Sequence, residues 1–450
     1  MTQSLHADWA LLPGGMARDV RLRGEGAPST AVEGGVGARP GDARAGLPPP
    51  AMSNVHSHAF QRAMAGLAER RAADVDAETF WTWREQMYRH ALTMTPDDVE
   101  AVAAQLYVEM LEAGFSSVGE FHYLHHDREG RPYADPAEMG GRIAAAARET
   151  GIGLTLLPVF YAHATFGGVP PGDEQRRFIC DLDLFAKLLE ASRRHVAATP
   201  GAVMGVAPHS LRAVTGEELK GVVALAGDGP IHIHAAEQVK EVEDCLRATG
   251  MRPVRWLLEH APIDRRWCFI HATHMRPEET VAMAKAGAVA GLCPLTEGNL
   301  GDGVFDLARF LANGGAFGVG SDSNIQIGVA DELRMLEYAQ RLASRQRCVA
   351  ARPGGSTGRA LYESALAGGA RALARGCGLS SGAPADFVTL ALDQPALAER
   401  CGESLLDAWI FVGARIDRVW AHGALKVEGG RHAARERVYA RFRAALRKLA

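Results

Sequence analysis

No window of the 450-residue chain holds eighteen uninterrupted apolar residues, so no membrane-spanning helix is expected. The N-terminal stretch MTQSLHADWALLPGGMARD lacks a basic segment followed by a long apolar core, which makes it a poor signal peptide. A basic excess is also missing: 49 Lys and Arg stand against 53 Asp and Glu, a formal net charge of −4. Neutralising phosphates needs the opposite balance, so a nucleic-acid binder is not expected. The seven cysteines contain no CxxC pair and are scattered and odd in number. They fit reduced, mostly core thiols of a cytoplasmic protein better than a disulfide framework or a cysteine zinc site. No repeat at a fixed period is visible.

What is present is a large apolar fraction, 47% of residues, in a chain long enough for several domain-sized units or one α/β barrel with an appendage. Residues 17–50 are rich in Gly, Ala, Pro and Arg and read as short strands with loops. Near the other end, ADFVTLAL (385–392) and DRVWAHGALKVEGGRH (417–432) alternate apolar and polar residues around glycine turns, as strands do. RERVYARFRAALRKLA (435–450) has helical spacing and reads as a solvated amphipathic helix. Both chain ends are thus β-rich and suit one composite small domain.

The middle behaves differently. Eight short apolar runs recur: SNVHSH (53–58), SSVGEF (116–121), GLTLLPVF (153–160), VMGVAPHS (203–210), IHIHAA (231–236), WCFIHAT (267–273), AVAGLC (288–293) and FGVGSD (317–322). Between them lie amphipathic stretches of helical length, such as 97–114 and 330–345, with apolar residues three and four apart. Eight strands alternating with helices imply an α/β fold, a parallel (β/α)8 TIM-type barrel. Polar, reactive residues stand at the C-terminal end of run after run: His56 and His58, Glu120 and His122, Tyr161 and His163, His209, His234, His271 and Asp322. In such a barrel the active site lies at those ends.

Along a strand, residues i and i+2 share a side, so His56 and His58 can hold one metal ion, although an isolated HxH is more often two polar residues at a strand end. In HIHAAEQ (232–238), His234 is nearer the strand end than His232 and is followed by Glu237; His232 suits an interior residue with a satisfied hydrogen bond. His271 follows WCFI, where a histidine can act as general acid or base; His274 lies beyond the strand, where it reads as exposed. Asp322 ends a run whose Gly318 and Gly320 permit close backbone packing; as ligand it competes with a helix N-cap role, which Ser323 could fill instead. His56, His58, His234 and Asp322 form a three-imidazole, one-carboxylate set suited to Zn²⁺, with Fe²⁺ also compatible. A metal lowers the pKa of bound water from 15.7 to about 7. The expected chemistry is hydrolysis at an electrophilic carbon, with Glu237, His271 and Asp322 moving protons.

This constellation resembles the amidohydrolase superfamily: HxH after the first strand, histidines after the fifth and sixth, aspartate after the eighth. The resemblance covers the whole chain. It implies a small β-sandwich from residues 1–50 and 381–434, a barrel over 51–380 and a terminal helix over 435–450. The fourth run has no bridging lysine, so the resemblance implies one metal ion per chain. His234 with Glu237 is similar to the deaminase branch. NVHSHAFQRAMAGL (54–67), FWTWREQMYR (80–89), EFHYLHH (120–126), HSLRAV (209–214) and GSDSN (320–324) jointly resemble the formimidoylglutamate deiminase family of bacterial histidine breakdown. One departure is PPPAMSN before the HxH, where that family has Pro-Gly; it affects the turn into the strand, not a ligand. Members hydrolyse N-formimidoyl-L-glutamate to N-formyl-L-glutamate and ammonia. Such a substrate has two carboxylates, for which Arg84 and Arg212 are the matching guanidiniums. The resemblance adds Gln61, Tyr123 and His209 as substrate contacts, and a homodimer. Without it, Arg84 would read as a surface helix arginine and Tyr123 as a core aromatic; Arg62 stays unranked. The alternatives are a purine, pyrimidine or nucleoside deaminase of the same barrel type, which would need a stacking platform, and a non-catalytic scaffold, which would show gaps among the ligands.

Overall fold

The computed structural model describes residues 4–24, 30–71 and 78–449. Residues 1–3, 25–29, 72–77 and 450 lie outside the described residues, and with them small parts of the expected small domain, barrel and terminal helix. The N-terminal segment forms β1 (Ser4–Leu12), β2 (Gly15–Gly24), β3 (Thr30–Glu33) and β4 (Ala43–Ala45), ordered β3-β2-β1-β4 in one sheet. All eight expected runs are strands. β5 (Met52–Ser57), β6 (Phe115–His122), β7 (Gly153–Phe160) and β8 (Val203–Met204) form a parallel sheet in that order, with β9 (Ala207–Pro208) paired to the far end of β7. The run VMGVAPHS is thus split in two, with Gly205 and Val206 between the pieces. β10 (Ile231–Ala235), β11 (Trp267–His271), β12 (Val289–Leu292) and β13 (Ala316–Val319) form a second parallel sheet.

The two parallel sheets meet at both edges through single parallel bridges. Ser57 pairs with Asp322 on one side; Val206 with Ile231 and Ser210 with His234 pair on the other. The hydrogen-bonded ladder is therefore continuous within each sheet and reduced to isolated bridges between them. Every residue of β6, β7, β10, β11 and β12 is buried, as expected for parallel strands covered by helices on one face and packed core on the other. Close approach at the edge near Asp322 depends on Gly320, as the spacing suggested. A Cβ there would lie 2.8 Å from the His56 amide nitrogen, nearer than packed atoms approach.

Two helices lie between the first two strands of the parallel set. α1 (Phe80–Thr93) starts at Thr79, whose side chain accepts the Trp81 amide. α2 (Pro96–Glu112) starts with a reciprocal Thr95–Asp98 capping box and proline at its first turn. The C-terminal strands β14 (Phe387–Leu390), β15 (Ile416–Ala421), β16 (Ala424–Glu428) and β17 (Arg431–His432) make an antiparallel sheet. The two chain ends share one apolar cluster: Leu5, Ala10, Val20 and Leu22 pack with Phe387 and Trp420, whose rings stack at 4.4 Å. The terminal helix Arg435–Leu449 is the expected amphipathic helix, largely solvent-exposed with one face docked. It buries Val438 and Ala445 and ties its basic face to acids of neighbouring helices, Lys448 to Asp98 at 3.3 Å and Arg435 to Glu112. Cys180, Cys245, Cys268 and Cys293 are buried and Cys348, Cys377 and Cys401 exposed, all unpaired.

Candidate active site

The bridge between Ser57 and Asp322 brings the end of β5 beside the residues following β13, and His234 projects from the end of β10 toward the same point. The ligand-capable atoms of His56, His58, His234 and Asp322 lie within 4.8 Å of one another, all four residues buried. His56 Nε2 is 3.1 Å from His234 Nε2 and 3.4 Å from Asp322 Oδ1, and His58 Nε2 is 3.3 Å from the same oxygen. Asp322 does not cap a helix: the next one starts at Val329 after Gly328. Ser323 is likewise no cap; its hydroxyl meets that of Thr296 at 3.0 Å.

The donor set calls for a cation. His58 Nδ1 lies 2.9 Å from the Phe121 carbonyl, and His234 Nδ1 lies 3.1 Å from the His209 carbonyl. A carbonyl only accepts, so each Nδ1 carries the ring proton and each Nε2 turns a lone pair inward. Two such lone pairs and a carboxylate oxygen meet at one point, where His56 Nε2 can offer at most one proton. A metal ion satisfies them all. Burial pulls His56 down to about 3, with the neighbouring His58 adding to the shift, and burial also lowers His58 and His234. These imidazoles are thus neutral, the form that ligates metal. Burial opposes ionisation of Asp322, but the hydrogen bond from His56 and the nearby histidines outweigh it and hold the carboxyl below its ordinary range. His271, Cys293 and Asp322 make a second grouping, but burial keeps the Cys293 thiol protonated, well above its ordinary pKa.

The residues expected to move protons surround this point. His271 Nε2 is 3.7 Å from Asp322 Oδ2 and 3.8 Å from Glu237 Oε1, while its Nδ1 faces Glu297 Oε1 at 3.3 Å. Burial opposes its charge, but Glu237, Glu297 and Asp322 overcome that and raise it to about 10. Burial lifts Glu237 to about 7 against the pull of His271 and Arg212. The turn carrying Glu237 is pinned by Glu241, which accepts the amides of Ala236 and Glu237 at 3.0 and 3.1 Å. Strained backbone marks the strand ends: Ala236, His271, Ala272, Asp322 and Asn324 all have positive φ, from 45° to 65°. A buried relay locks two of these ends together. Asn54 Nδ2 donates to Ser321 Oγ at 2.7 Å, Ser321 Oγ donates to Asn324 Oδ1 at 2.6 Å, and Asn324 Nδ2 donates to the His58 and Asp322 carbonyls.

A cavity opens from the cluster. Its lining includes His58, His234, Glu237 and Asp322 together with Gln61, Arg84, Tyr123, His209 and Arg212, so every expected substrate contact faces one space. Phe80, Trp83, Met87, Tyr88, Tyr161, Phe178 and Leu300 complete the wall. Arg84 is no surface arginine: on α1 it shares a helical stripe with Phe80, Met87 and Tyr88. Gln61 Nε2 donates to the Tyr123 hydroxyl at 2.9 Å, and Arg212 lies 3.7 Å from Glu237 Oε2.

Several strand-end residues are engaged elsewhere. Glu120 accepts the Ala59 amide and the Tyr107 hydroxyl, and His163 pairs with Glu218 at 2.9 Å. His232 is the interior residue it suggested, 2.8 Å from the Ala372 carbonyl. His274 is half-buried rather than exposed. Arg62 turns away, pairing with Glu109 at 2.8 Å and donating to the Asn324 carbonyl. Glu297 and Asp302 are the residues sequence reasoning missed. Both follow β12, the one run for which no polar strand-end residue was singled out, and the signal was the two carboxylates in PLTEGNLGD shortly after it. Asp302 accepts from Gln238 Nε2, and burial with the charge of Glu237 raises its carboxyl to about 9.

The amidohydrolase family profile matches residues 49–426. The chain is 48% identical to formimidoylglutamate deiminase of Pseudomonas aeruginosa over 441 residues, covering 96% of each chain. It is similar to the crystal structure of an amidohydrolase from Brucella melitensis, at 56% identity and TM-score 0.96, with 99% of each chain covered. The fold is also that of an atrazine chlorohydrolase from Arthrobacter aurescens complexed with zinc, at 20% identity and TM-score 0.81, covering 98% of this chain and 99% of that one.

Proposed function

The chain belongs to the amidohydrolase family, and from that premise we propose that it hydrolyses N-formimidoyl-L-glutamate to N-formyl-L-glutamate and ammonia. It is a hydrolase of carbon–nitrogen bonds, similar over nearly its whole length to a formimidoylglutamate deiminase. The observation that carries the choice of substrate is the pair of guanidiniums, Arg84 and Arg212, lining the same cavity as Glu237 and the histidine–aspartate cluster. A substrate with two carboxylates and one reactive carbon fits that arrangement.

The donor set of His56, His58, His234 and Asp322 suits one Zn²⁺ per chain, and Fe²⁺ has compatible ligand preferences. When bound, the ion supplies Lewis acidity that makes water nucleophilic at neutral pH. The chain's own residues do the rest. Arg84 and Arg212 take the carboxylates and fix the formimidoyl carbon at the cavity floor. Gln61, Tyr123 and His209 border the bound substrate. Asp322, held as a carboxylate, accepts a proton from the attacking water, while His271, raised to about 10 and so protonated, can return one. Glu237, whose carboxyl is raised to about 7, carries a proton that it can deliver to the imino nitrogen. An oxygen–carbon bond forms, the carbon–nitrogen bond breaks, and nitrogen leaves as ammonia.

The two bridged parallel sheets support reading residues 51–380 as a (β/α)8 barrel, and the shared apolar cluster of the chain ends supports a β-sandwich from 1–50 and 381–434, with 435–450 as a terminal helix. A role in histidine degradation, a cytoplasmic location and a homodimer complete the proposal. No helix among the described residues is long and apolar enough to cross a membrane.

Arg212→Ala tests the substrate reading. Losing a buried, charge-paired guanidinium costs about 2–5 kcal/mol, so kcat/KM for N-formimidoyl-L-glutamate should fall by at least about thirtyfold, mostly through KM. Bound metal, assayed by elemental analysis, should stay near one ion per chain. Loss of metal with retained KM would show that Arg212 serves the cluster and not the substrate.

A further inference from the structure

The two guanidiniums share a support that does not itself line the cavity. The Trp81 ring lies 4.6 Å from Arg84 Cζ and 5.8 Å from Arg212 Cζ, with Lys240 Nζ 5.7 Å away. Three cations from three elements thus converge on one indole: Arg84 from α1, Arg212 from the loop after β9, and Lys240 from the helix Val239–Thr249. Lys240 is paired with Asp244 at 2.7 Å, which leaves the two guanidiniums as the like charges that repel. The Nε atoms of Arg84 and Arg212 are buried without hydrogen-bond partners, and Arg212 is held on one side by Glu237 at 3.7 Å. The negative face of an indole is the strongest of the aromatic cation acceptors, so the ring offsets part of that repulsion. It is the ring near both guanidiniums, whereas Tyr88 lies 5.5 Å from Arg84 Cζ and Phe80 lies 5.9 Å from Arg212 Cζ. Phe80 meets the ring edge-on at 5.1 Å and 88°, which sets its orientation.

We propose that Trp81 is a positioning residue that sets the spacing of Arg84 and Arg212, and thereby the selection of amidines with two carboxylates over amidines with one. This rests on the reading of the cavity as a site for N-formimidoyl-L-glutamate. A dicarboxylate engages both guanidiniums only when their separation is correct. A monocarboxylate engages one and is indifferent to the spacing. Trp81 therefore acts on discrimination, while the proton-moving groups Glu237 and His271 stay as they are.

The test compares wild type, Trp81→Phe and Trp81→Leu, each with metal content measured, on N-formimidoyl-L-glutamate and on N-formimidoyl-4-aminobutyrate, which lacks the α-carboxylate. Two lost cation–ring contacts of about 0.5–1 kcal/mol each correspond to roughly tenfold. For Trp81→Leu, KM for the dicarboxylate should rise by about that factor with kcat within about threefold, while kcat/KM for the monocarboxylate changes little. Trp81→Phe, which keeps a ring face, should recover most of the discrimination. Calorimetric binding of glutarate to the metal-loaded proteins should weaken in the same order, a readout independent of turnover. Equal losses on both substrates, a fall in kcat alone, or an unchanged dicarboxylate KM in Trp81→Leu would overturn the proposal. Wild type that binds glutarate but releases no ammonia from N-formimidoyl-L-glutamate would instead count against the substrate reading.

Discussion

His234→Ala should leave the protein without measurable turnover and with metal affinity lowered by more than about 100-fold. Removing a partner outside the ligand shell already costs about 10–100-fold in metal affinity, and His234 faces the centre of the cluster, 3.1 Å from His56 Nε2. Its Nδ1 lies 3.1 Å from the His209 carbonyl, which turns its Nε2 toward the cluster. The remaining His56, His58 and Asp322 make an incomplete set, and water loses the activation on which hydrolysis depends. Elemental analysis after dialysis, with ammonia release measured on the same sample, reads both effects. A variant that keeps one ion per chain and substantial turnover would remove His234 from the ligand set.

Glu237→Gln should lower kcat by about 10²–10⁴-fold, the usual span for loss of a general acid–base group, with metal content unchanged. Glutamine preserves volume and can still face Arg212, but it holds no transferable proton. The wild-type carboxyl sits near 7 because burial disfavours its charge while His271 and Arg212 restore part of it. It can thus both carry and release a proton near neutral pH. KM should change little, since the proposed carboxylate contacts, Arg84 and Arg212, stay in place and glutamine can still face Arg212. A kcat within tenfold of wild type would transfer the proton-delivery role to His271 or Asp322.

Much of this was legible in the sequence for identifiable reasons. A fully buried parallel strand writes itself as a short apolar run, and GLTLLPVF coincides with β7 residue for residue. The shared side of His56 and His58 follows from the two-residue period of strands, His234 and Asp322 stand at or just past the ends of apolar runs, and the structure brings all four residues together. What was not legible depends on contacts between distant segments. Arg84 could be ranked only by resemblance, although its spacing from Phe80 and Tyr88 put it on an apolar stripe. Glu297 was missed because it faces His271 from a short helix after a strand that ends without a polar signal. The docking partners of the terminal helix's arginines are acids far away in sequence. The convergence of Arg84, Arg212 and Lys240 on Trp81 could be seen only in three dimensions.

The most direct measurement is ammonia release by purified protein carrying one Zn²⁺ per chain, with N-formimidoyl-L-glutamate compared against adenosine and cytosine at equal concentration. The geometry of two guanidiniums above a histidine–aspartate cluster predicts rapid release from N-formimidoyl-L-glutamate, with N-formyl-L-glutamate as the second product, and little from the ring substrates. No release from N-formimidoyl-L-glutamate together with good turnover of either ring would contradict it.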